Sequence, residues 1–333
     1  MSQTAVQLAR ETFDPSIARG PQPRTVAVLV PCYNEGGAIA QVVSAFRAEL
    51  PDAMIFVYDN NSTDGTKAVA AEAGAIVRSE DLQGKGHVVR RMFSDIDADV
   101  YVMVDGDATY DAAAAPKMIE LLWTERLDMV VGRREHTDTA AYRPGHVLGN
   151  SLLTGCVTML FGQRFTDILS GYRVFSRRFV KSFPALATGF ETETELTVHA
   201  LQLGLPIAEV STRYAARPEG TASKLRTYRD GARILAMIVR LFRTERPLAF
   251  FGLLSGVSAL ASVLLAIPVV LTFFETGLVP RLPTAVLSMG LMLLGVILFG
   301  CGLILDTVTQ GRKEAKRLAY LLVAPRSGHR SPS

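Results

Sequence analysis

Val100–Asp111, VYVMVDGDATYD, sends a run of apolar and β-branched residues straight into two carboxylates, Asp105 and Asp107, with one glycine between them. The run has the length and composition of a buried strand. Aspartates at this spacing are not a signature alone, since Asp95/Asp97 and Asp97/Asp99 repeat it just upstream. Asp is also a common turn and helix-cap residue. Position separates the pairs: the upstream ones precede the strand, whereas Asp105 and Asp107 end it.

Around this strand, Thr25 to Gly132 alternates strand and helix with short connections. TVAVLVP is a buried strand, and GGAIAQVVSAFRAEL after it puts Ile39, Val42, Val43, Phe46 and Leu50 on one helical face. MIFVYD and AIVRS are further strands, with a short helix from about Asp64 between them, and loop and helix follow over Gly84 to Ile96. VYVMVD and DMVVG complete five strand candidates, separated by a helix that Pro116 is expected to start. Such alternation predicts an α/β fold, a Rossmann-like, mostly parallel sheet with helices on both faces. Ligands bind such sheets at the carboxyl ends of the strands. PCYNE, DNNSTDGT and DGDATYD occupy those ends and are expected to form one rim. From Arg133 to Arg217 the alternation is lost, and the segment reads as loops and helices completing an acceptor side.

The 333-residue chain is 49% hydrophobic, and much of that is concentrated near the end. Leu248 to Phe274 and Leu282 to Leu305 contain no charged residue, and each run exceeds the roughly 20 residues that cross a bilayer. The linker ETGLVPRL makes them a two-helix transmembrane hairpin, with Gly252 and Gly256 as a small-xxx-small pair and Pro268 as a kink. In SKLRTYRDGARILAMIVRLFR, Arg226, Arg229, Arg233, Arg240 and Arg243 share an arc of about 100°, and Ile234, Leu235, Ile238, Leu241 and Phe242 lie mainly opposite. This reads as an interfacial amphipathic helix. Basic residues flank the hairpin at Arg240, Arg243 and Arg246 and again at Arg312, Lys313, Lys316 and Arg317, whereas its tip has only Arg281. Both termini and the catalytic domain are therefore expected in the cytoplasm, on a multi-pass protein of the plasma or inner membrane.

Cys32, Cys156 and Cys301 are odd in number and far apart, which fits a reducing compartment without a disulfide framework or zinc site. His87, His136, His146 and His199 share no metal-ligand spacing. A net charge of +3 gives no case for nucleic acid as a partner. Two strand-end carboxylates without His or Cys beside them suit a hard cation, Mg²⁺ or Mn²⁺, bridging to a diphosphate. Gly106 between them reads as room for a close ligand. In QGKGH, Gly84, Lys85 and Gly86 have two open readings, approach to a phosphate or a simple turn.

VLVPCYNE, DNNSTDGT, GKG and VMVDGD, followed by VVGRR, DILSGYRVFSRR and two apolar C-terminal runs, resemble the family-2 glycosyltransferases of GT-A fold. The resemblance is to the branch that moves a sugar from a nucleotide sugar to a polyprenyl phosphate, as dolichyl-phosphate mannose synthases do, and covers about residues 25–310. It implies a nucleoside role for Pro31, Tyr33, Glu35 and Asp59, and a metal and sugar-diphosphate role for Asp105 and Asp107. Where the dolichyl-phosphate mannose enzymes commonly have Gln, this chain has Thr109, then Tyr110 and Asp111. DGDxTYD is more similar to relatives using UDP-sugars such as UDP-GlcNAc or UDP-glucose, with GDP-mannose as the alternative donor. Whether Thr109 or Asp111 joins the metal shell stays open.

An acceptor phosphate is already anionic near neutral pH, so no general base is needed. The departing diphosphate must be neutralised and the acceptor held in line. The resemblance implies one displacement with inversion. Arg134 in VVGRR and Arg143 in AYRPGH are candidates for gripping the acceptor phosphate, with Arg133 a weaker one. Asp167 is a candidate for orienting a hydroxyl or else a helix cap, and Lys85 and Lys224 are candidates for the diphosphate. Glu191, Glu193 and Glu195 alternate with Thr, some facing the sugar and others solvent. Catalytic candidates are thus Asp107, Arg134, Arg143 and Asp167, and expected partners are a nucleotide sugar, a polyprenyl phosphate and the bilayer, with a homo-oligomer compatible. A processive polysaccharide synthase would carry Gln-x-x-Arg-Trp, but the sole tryptophan, Trp123, follows Leu122. A non-catalytic nucleotide-sugar-binding membrane partner is the alternative of another class. The expected divisions are 1–24 as a flexible tail, 25–222 as the catalytic domain, 223–246 as the surface helix, 247–306 as the hairpin and 307–333 as a basic tail.

Overall fold

Strand pairing builds one seven-stranded sheet in the order β3-β2-β1-β4-β6-β5-β7. In this computed structural model residues 25–136, 154–162, 166–189, 191–215 and 227–323 are described, side chains excepted at 136 and 227–234. The strands are β1 Val26–Cys32, β2 Met54–Asp59, β3 Ile76–Ser79, β4 Val100–Met103, β5 Met129–His136, β6 Arg173–Ser176 and β7 Ile207–Tyr214. Helices α1 Ile39–Glu49, α2 Thr66–Glu72, α3 Lys85–Asp95 and α4 Ala114–Thr124 fall between the first five. Then come α5 Arg177–Ser182, α6 Thr192–Leu203, α7 Thr227–Glu245, α8 Pro247–Thr276 and α9 Leu282–Leu322.

All five expected strands form. β1 lies parallel between β2 and β4, so the order reverses beside β1 and opens a crevice beyond its carboxyl end. Val28, Val30, Val57, Val102 and Val104 meet Ile39, Val42, Val43 and Phe46 of α1 in a fully buried core. Burying each such side chain contributes about 1.5–3 kcal/mol.

The stretch expected to hold only loops and helices also contains two strands. β6 runs antiparallel to both β4 and β5, and β7 runs parallel to β5. β6 opens on a charged residue, Arg173, and passes directly into α5, and β7 has mostly half-buried residues with no apolar run. The antiparallel turn of β6 matters for the site. It pairs Met103 with Arg173, so the loop entering β6 meets the segment leaving β4. Helix α4 begins at Ala114, leaving Pro116 in its first turn, where no helical N–H partner is lost.

The chain divides into two units, one of Tyr228–Ala315 and the other of the sheet domain together with the residues from Lys316 onward. In the first of these, α8 and α9 are long and apolar enough to cross a membrane, and Leu253, Leu260, Leu293 and Ile304 point outward from them. Helix α8 runs on through Pro268. Ser262 Oγ donates to the Ser288 carbonyl at 2.6 Å, Ser288 Oγ donates back to the Ser262 carbonyl at 2.9 Å, and Ser258 Oγ donates to the Leu291 carbonyl at 2.7 Å. The glycines at the close approach are Gly295 and Gly302 of α9, beside the Ser255 carbonyl and Phe251; a Cβ on Gly252 or Gly256 would meet nothing within 4 Å. The expected small-xxx-small pair is therefore not where the two helices touch.

Helix α9 continues well past 306, the expected end of the hairpin. In the sheet unit its last turns pack on the domain: Tyr320 donates to Asp128 at 2.9 Å, the Arg178 guanidinium lies over the Tyr320 ring, and Lys316 donates to Gln202 at 2.6 Å.

Candidate active site

The strand-end motifs converge on one rim. After β1, Asn34 takes a left-handed conformation with φ 52°. Its amide N–H donates to Ser62 Oγ at 2.8 Å, and its Oδ1 accepts from Thr63 N at 2.8 Å. Glu35 N donates to Thr66 Oγ1 at 3.0 Å and Gly36 N to Asp64 Oδ2 at 2.9 Å. PCYNE and DNNSTDGT are thus laced into one wall. Pro31 pairs with Tyr58 in that wall, and Tyr33 is exposed at its edge. Asp59 is fully buried; its Oδ2 accepts from Ser62 N at 3.1 Å, while its Oδ1 has no hydrogen-bond partner among the described residues.

Asp107 is buried and receives two bonds from Thr109, from N at 3.2 Å and from Oγ1 at 2.6 Å. Ala108 between them has φ 56°, the tight turn that allows this. Thr109 therefore stands behind Asp107 and orients it, and Asp111 accepts from Ala113 N at 3.0 Å at the start of α4. Tyr110 is turned inward, its hydroxyl accepting from Gly171 N at 2.9 Å and its ring set against Tyr172 and Tyr214. Burial pushes the Tyr110 hydroxyl pKa well up, so it stays protonated.

Three glycines at the rim are required by packing. A Cβ on Gly106 would meet Cys32 Sγ at the end of β1. Cβ atoms on Gly84 and Gly86 would overlap the carbonyls of Thr188 and Ala187, so these glycines seat the segment before α6. Glu195 fixes the same segment by accepting from Leu186 N at 2.9 Å and Ala187 N at 2.8 Å.

Lys85, at the start of α3, reaches both Asp105 Oδ1 and Glu193 Oε1 at 2.5 Å. Burial alone would lower its pKa, but the carboxylates of Asp105 and Glu193 outweigh that and raise it. Gly171 passes so close to Asp105 that a Cβ there would overlap the carboxylate.

Across the rim, Arg134 binds Asp167 in a fork, Nε to Oδ2 and Nη2 to Oδ1, each at 2.7 Å, and its guanidinium lies over the Tyr214 ring at 5.6 Å. Burial pushes the Asp167 pKa up, but the Arg134 hydrogen bonds and charge win and hold it below the usual carboxylate range. Asp167 thus faces Arg134 and is not a helix cap. Arg133 points elsewhere, to Glu135 and Ser211. Arg143 and Lys224 lie outside the described residues.

Sequence reasoning overlooked three supports. Arg173 is fully buried and donates to the carbonyls of Ser170 and Ile168 and to Thr197 Oγ1, tying the 167–171 loop to α6. Burial lowers its pKa to about 10, which still leaves it charged at neutral pH. Glu209 accepts from the backbone of Thr166 and Asp167. Asn60 accepts from Gly84 N at 2.7 Å and donates to the carbonyls of Glu80 and Leu82, fixing the approach to Lys85. An arginine following an aromatic in SGYR was the visible signal for the first; the other two carried none.

The donor set at Asp105 and Asp107 fits a divalent hard cation. Both are carboxylates, and Asp107 is held in a fixed orientation. Among the described residues no group of three or more His, Cys, Asp or Glu comes together as a metal cage. A cation here would complete its shell with oxygens from water and from a bound phosphate, as such cations usually do.

Residues 27–182 match the family described as Glycosyl transferase family 2. The glycosyltransferase AglJ of Haloferax volcanii is 36% identical over 308 residues, covering 90% of this chain and 99% of that one. A dolichyl-phosphate hexose transferase of the same organism is 28% identical over 222 residues, 66% of this chain and 95% of that one. Glucosyl-3-phosphoglycerate synthase from Mycobacterium tuberculosis, solved with Mn²⁺, UDP-glucose and phosphoglyceric acid, superposes with a TM-score of 0.54 at 26% identity, over 66% of this chain and 79% of that one.

Proposed function

We propose, since the chain belongs to glycosyl transferase family 2, that it moves a sugar from a UDP-sugar, such as UDP-GlcNAc or UDP-glucose, to a polyprenyl or dolichyl phosphate at a membrane. One observation carries this reading. A carboxylate pair suited to a metal, a lysine bound to it and an arginine fork stand on one rim of a chain that also has two helices of bilayer length. The relative acting on dolichyl phosphate and the related structure holding UDP-glucose with Mn²⁺ support the two substrate classes.

The roles follow from the chemistry of each group. Asp59, with a buried acceptor oxygen to spare, takes an imide N–H of the base, and Pro31, Tyr33 and Glu35 line the nucleoside. Asp105 and Asp107 would hold Mg²⁺ or Mn²⁺, which would supply positive charge for the departing diphosphate. Lys85 adds a second positive charge there. Arg134, pre-set by Asp167, holds the acceptor phosphate, and Arg143 and Lys224 complete the two anion sites from segments outside the described residues. The acceptor phosphate attacks as an anion, the bond from the anomeric carbon to the nucleotide breaks, and the configuration inverts. Residues 25–222 act as the catalytic domain and 223–246 as the surface helix, with both termini in the cytoplasm.

The test is a screen of the purified protein with UDP- and GDP-sugars and a short polyprenyl phosphate, following label that partitions into organic solvent. A lipid-linked product with a UDP-sugar is expected, falling at least about a hundredfold in Asp107→Ala. Unchanged turnover in that variant sinks the metal assignment. No product with any donor, from folded protein, favours a binding partner without catalysis.

A further inference from the structure

The ammonium of Lys85 is shared by two carboxylates from different parts of the fold. Asp105 leaves β4 at the rim, and Glu193 stands in the first turn of α6, where the helix N-terminus favours a negative charge. Lys85 side-chain exposure is 13% and that of Glu193 is 7%, against 31% for Asp105. The buried partner is thus the one outside the metal pair. The backbone beneath Lys85 is fixed, because Gly84 and Gly86 lie against the carbonyls of Thr188 and Ala187. Any displacement of the ammonium must come from its four-carbon stem.

Two cations cannot lie together on Asp105 without strong repulsion in a partly desolvated site. An ammonium released there also needs a counter-charge, because a buried unpaired charge is costly. We propose that Lys85 competes with the divalent cation for Asp105, and that Glu193 is the positioning residue that keeps the ammonium in the site when the cation enters. Lys85 is then free on its Asp105 side to meet an incoming diphosphate. Charge at Asp105 is balanced by the chain before loading and by the metal after it, so metal and diphosphate arrive as coupled ligands. The identity of that diphosphate rests on the transferase reading above; the competition itself does not.

The experiment measures Mn²⁺ binding to the full-length protein in detergent, without nucleotide, from the loss of the free-ion paramagnetic resonance signal. Lys85→Met is expected to bind Mn²⁺ about tenfold more tightly than the unaltered protein. Impaired folding would not produce a gain in affinity. Glu193→Gln, which leaves the ammonium wholly on Asp105, is expected to weaken Mn²⁺ binding, and Lys85→Met added to it should abolish that loss. With UDP present the order reverses, Lys85→Met binding Mn²⁺ and UDP more weakly than the unaltered protein. Equal or weaker Mn²⁺ binding by Lys85→Met overturns the proposal, as does a Glu193→Gln loss that persists in the double variant. A gain in Mn²⁺ affinity in a protein that transfers no sugar overturns the transferase reading alone.

Discussion

The Asp-x-Asp spacings show what a residue's neighbours decide. Asp99 accepts from the Thr25 hydroxyl at 2.9 Å, Asp97 pairs with Arg177 and Asp95 accepts from the Tyr58 hydroxyl at 3.1 Å, so the upstream aspartates tie elements together. Asp105 and Asp107 alone stand at the carboxyl end of a central strand. That difference was legible because position relative to the strand was. The direction of a side chain was not, and Thr109 behind Asp107 could be found only from the turn at Ala108. Asp167, a candidate for orienting a hydroxyl or for capping a helix, is the clamp on Arg134. Replacing it with Asn removes the charge and one of the two matched acceptors. Turnover with polyprenyl phosphate should then fall about a hundredfold while UDP binding is kept. A steady-state comparison of the acceptor kcat/KM with calorimetric UDP affinity checks this, and equal loss of both would contradict it.

At the scale of elements, β1, β2 and β4 were readable as apolar runs bounded by turn residues, and β3 and β5 from their place in the strand-helix alternation. β6 and β7 were not, because one opens on Arg173 and runs straight into a helix and the other has no dry face. Their absence from the sequence reading hid the main feature of the rim, since only an antiparallel β6 brings Gly171 onto Asp105. In the helical hairpin the composition was legible and the contact face was not, as small residues occur on several faces. Gly295 meets the Ser255 carbonyl, with a Cβ only 3.2 Å from it, whereas Gly256 faces open space. Gly295→Leu should therefore destabilise the hairpin by about 1–3 kcal/mol through overpacking, with Gly256→Leu close to neutral. Thermal unfolding in detergent compares them, and equal effects would refute this choice of contact face.

At the scale of the molecule, the sheet domain and the apolar hairpin were separable by charge alone, since no charged residue interrupts either long run. The end of α9 was not legible as part of the sheet unit, because Lys316, Arg317 and Tyr320 look in sequence like any basic tail. A cytoplasmic catalytic domain requires the hairpin tip to face the other side. A cysteine placed at Leu278, in a variant without the native cysteines, is expected to react with an impermeant maleimide added outside intact cells, and one at Ser211 is not. The opposite labelling would reverse the proposed orientation.

The order of the strands also bears on how the chain is made. Synthesis runs from the N-terminus, and domains fold as units while they emerge. β7, the edge strand that pairs with β5 and touches Tyr110 through Tyr214, is complete before α8 starts at Pro247. The seven strands of the described sheet are therefore synthesised before the two long apolar runs appear. The strands are available to pair before the hairpin is made, whereas the contacts of Lys316 and Tyr320 with the domain can form only after it. A slow step in pairing β5 with β7 would then set a deadline, because the hydrophobic helices arrive whether or not the sheet is ready.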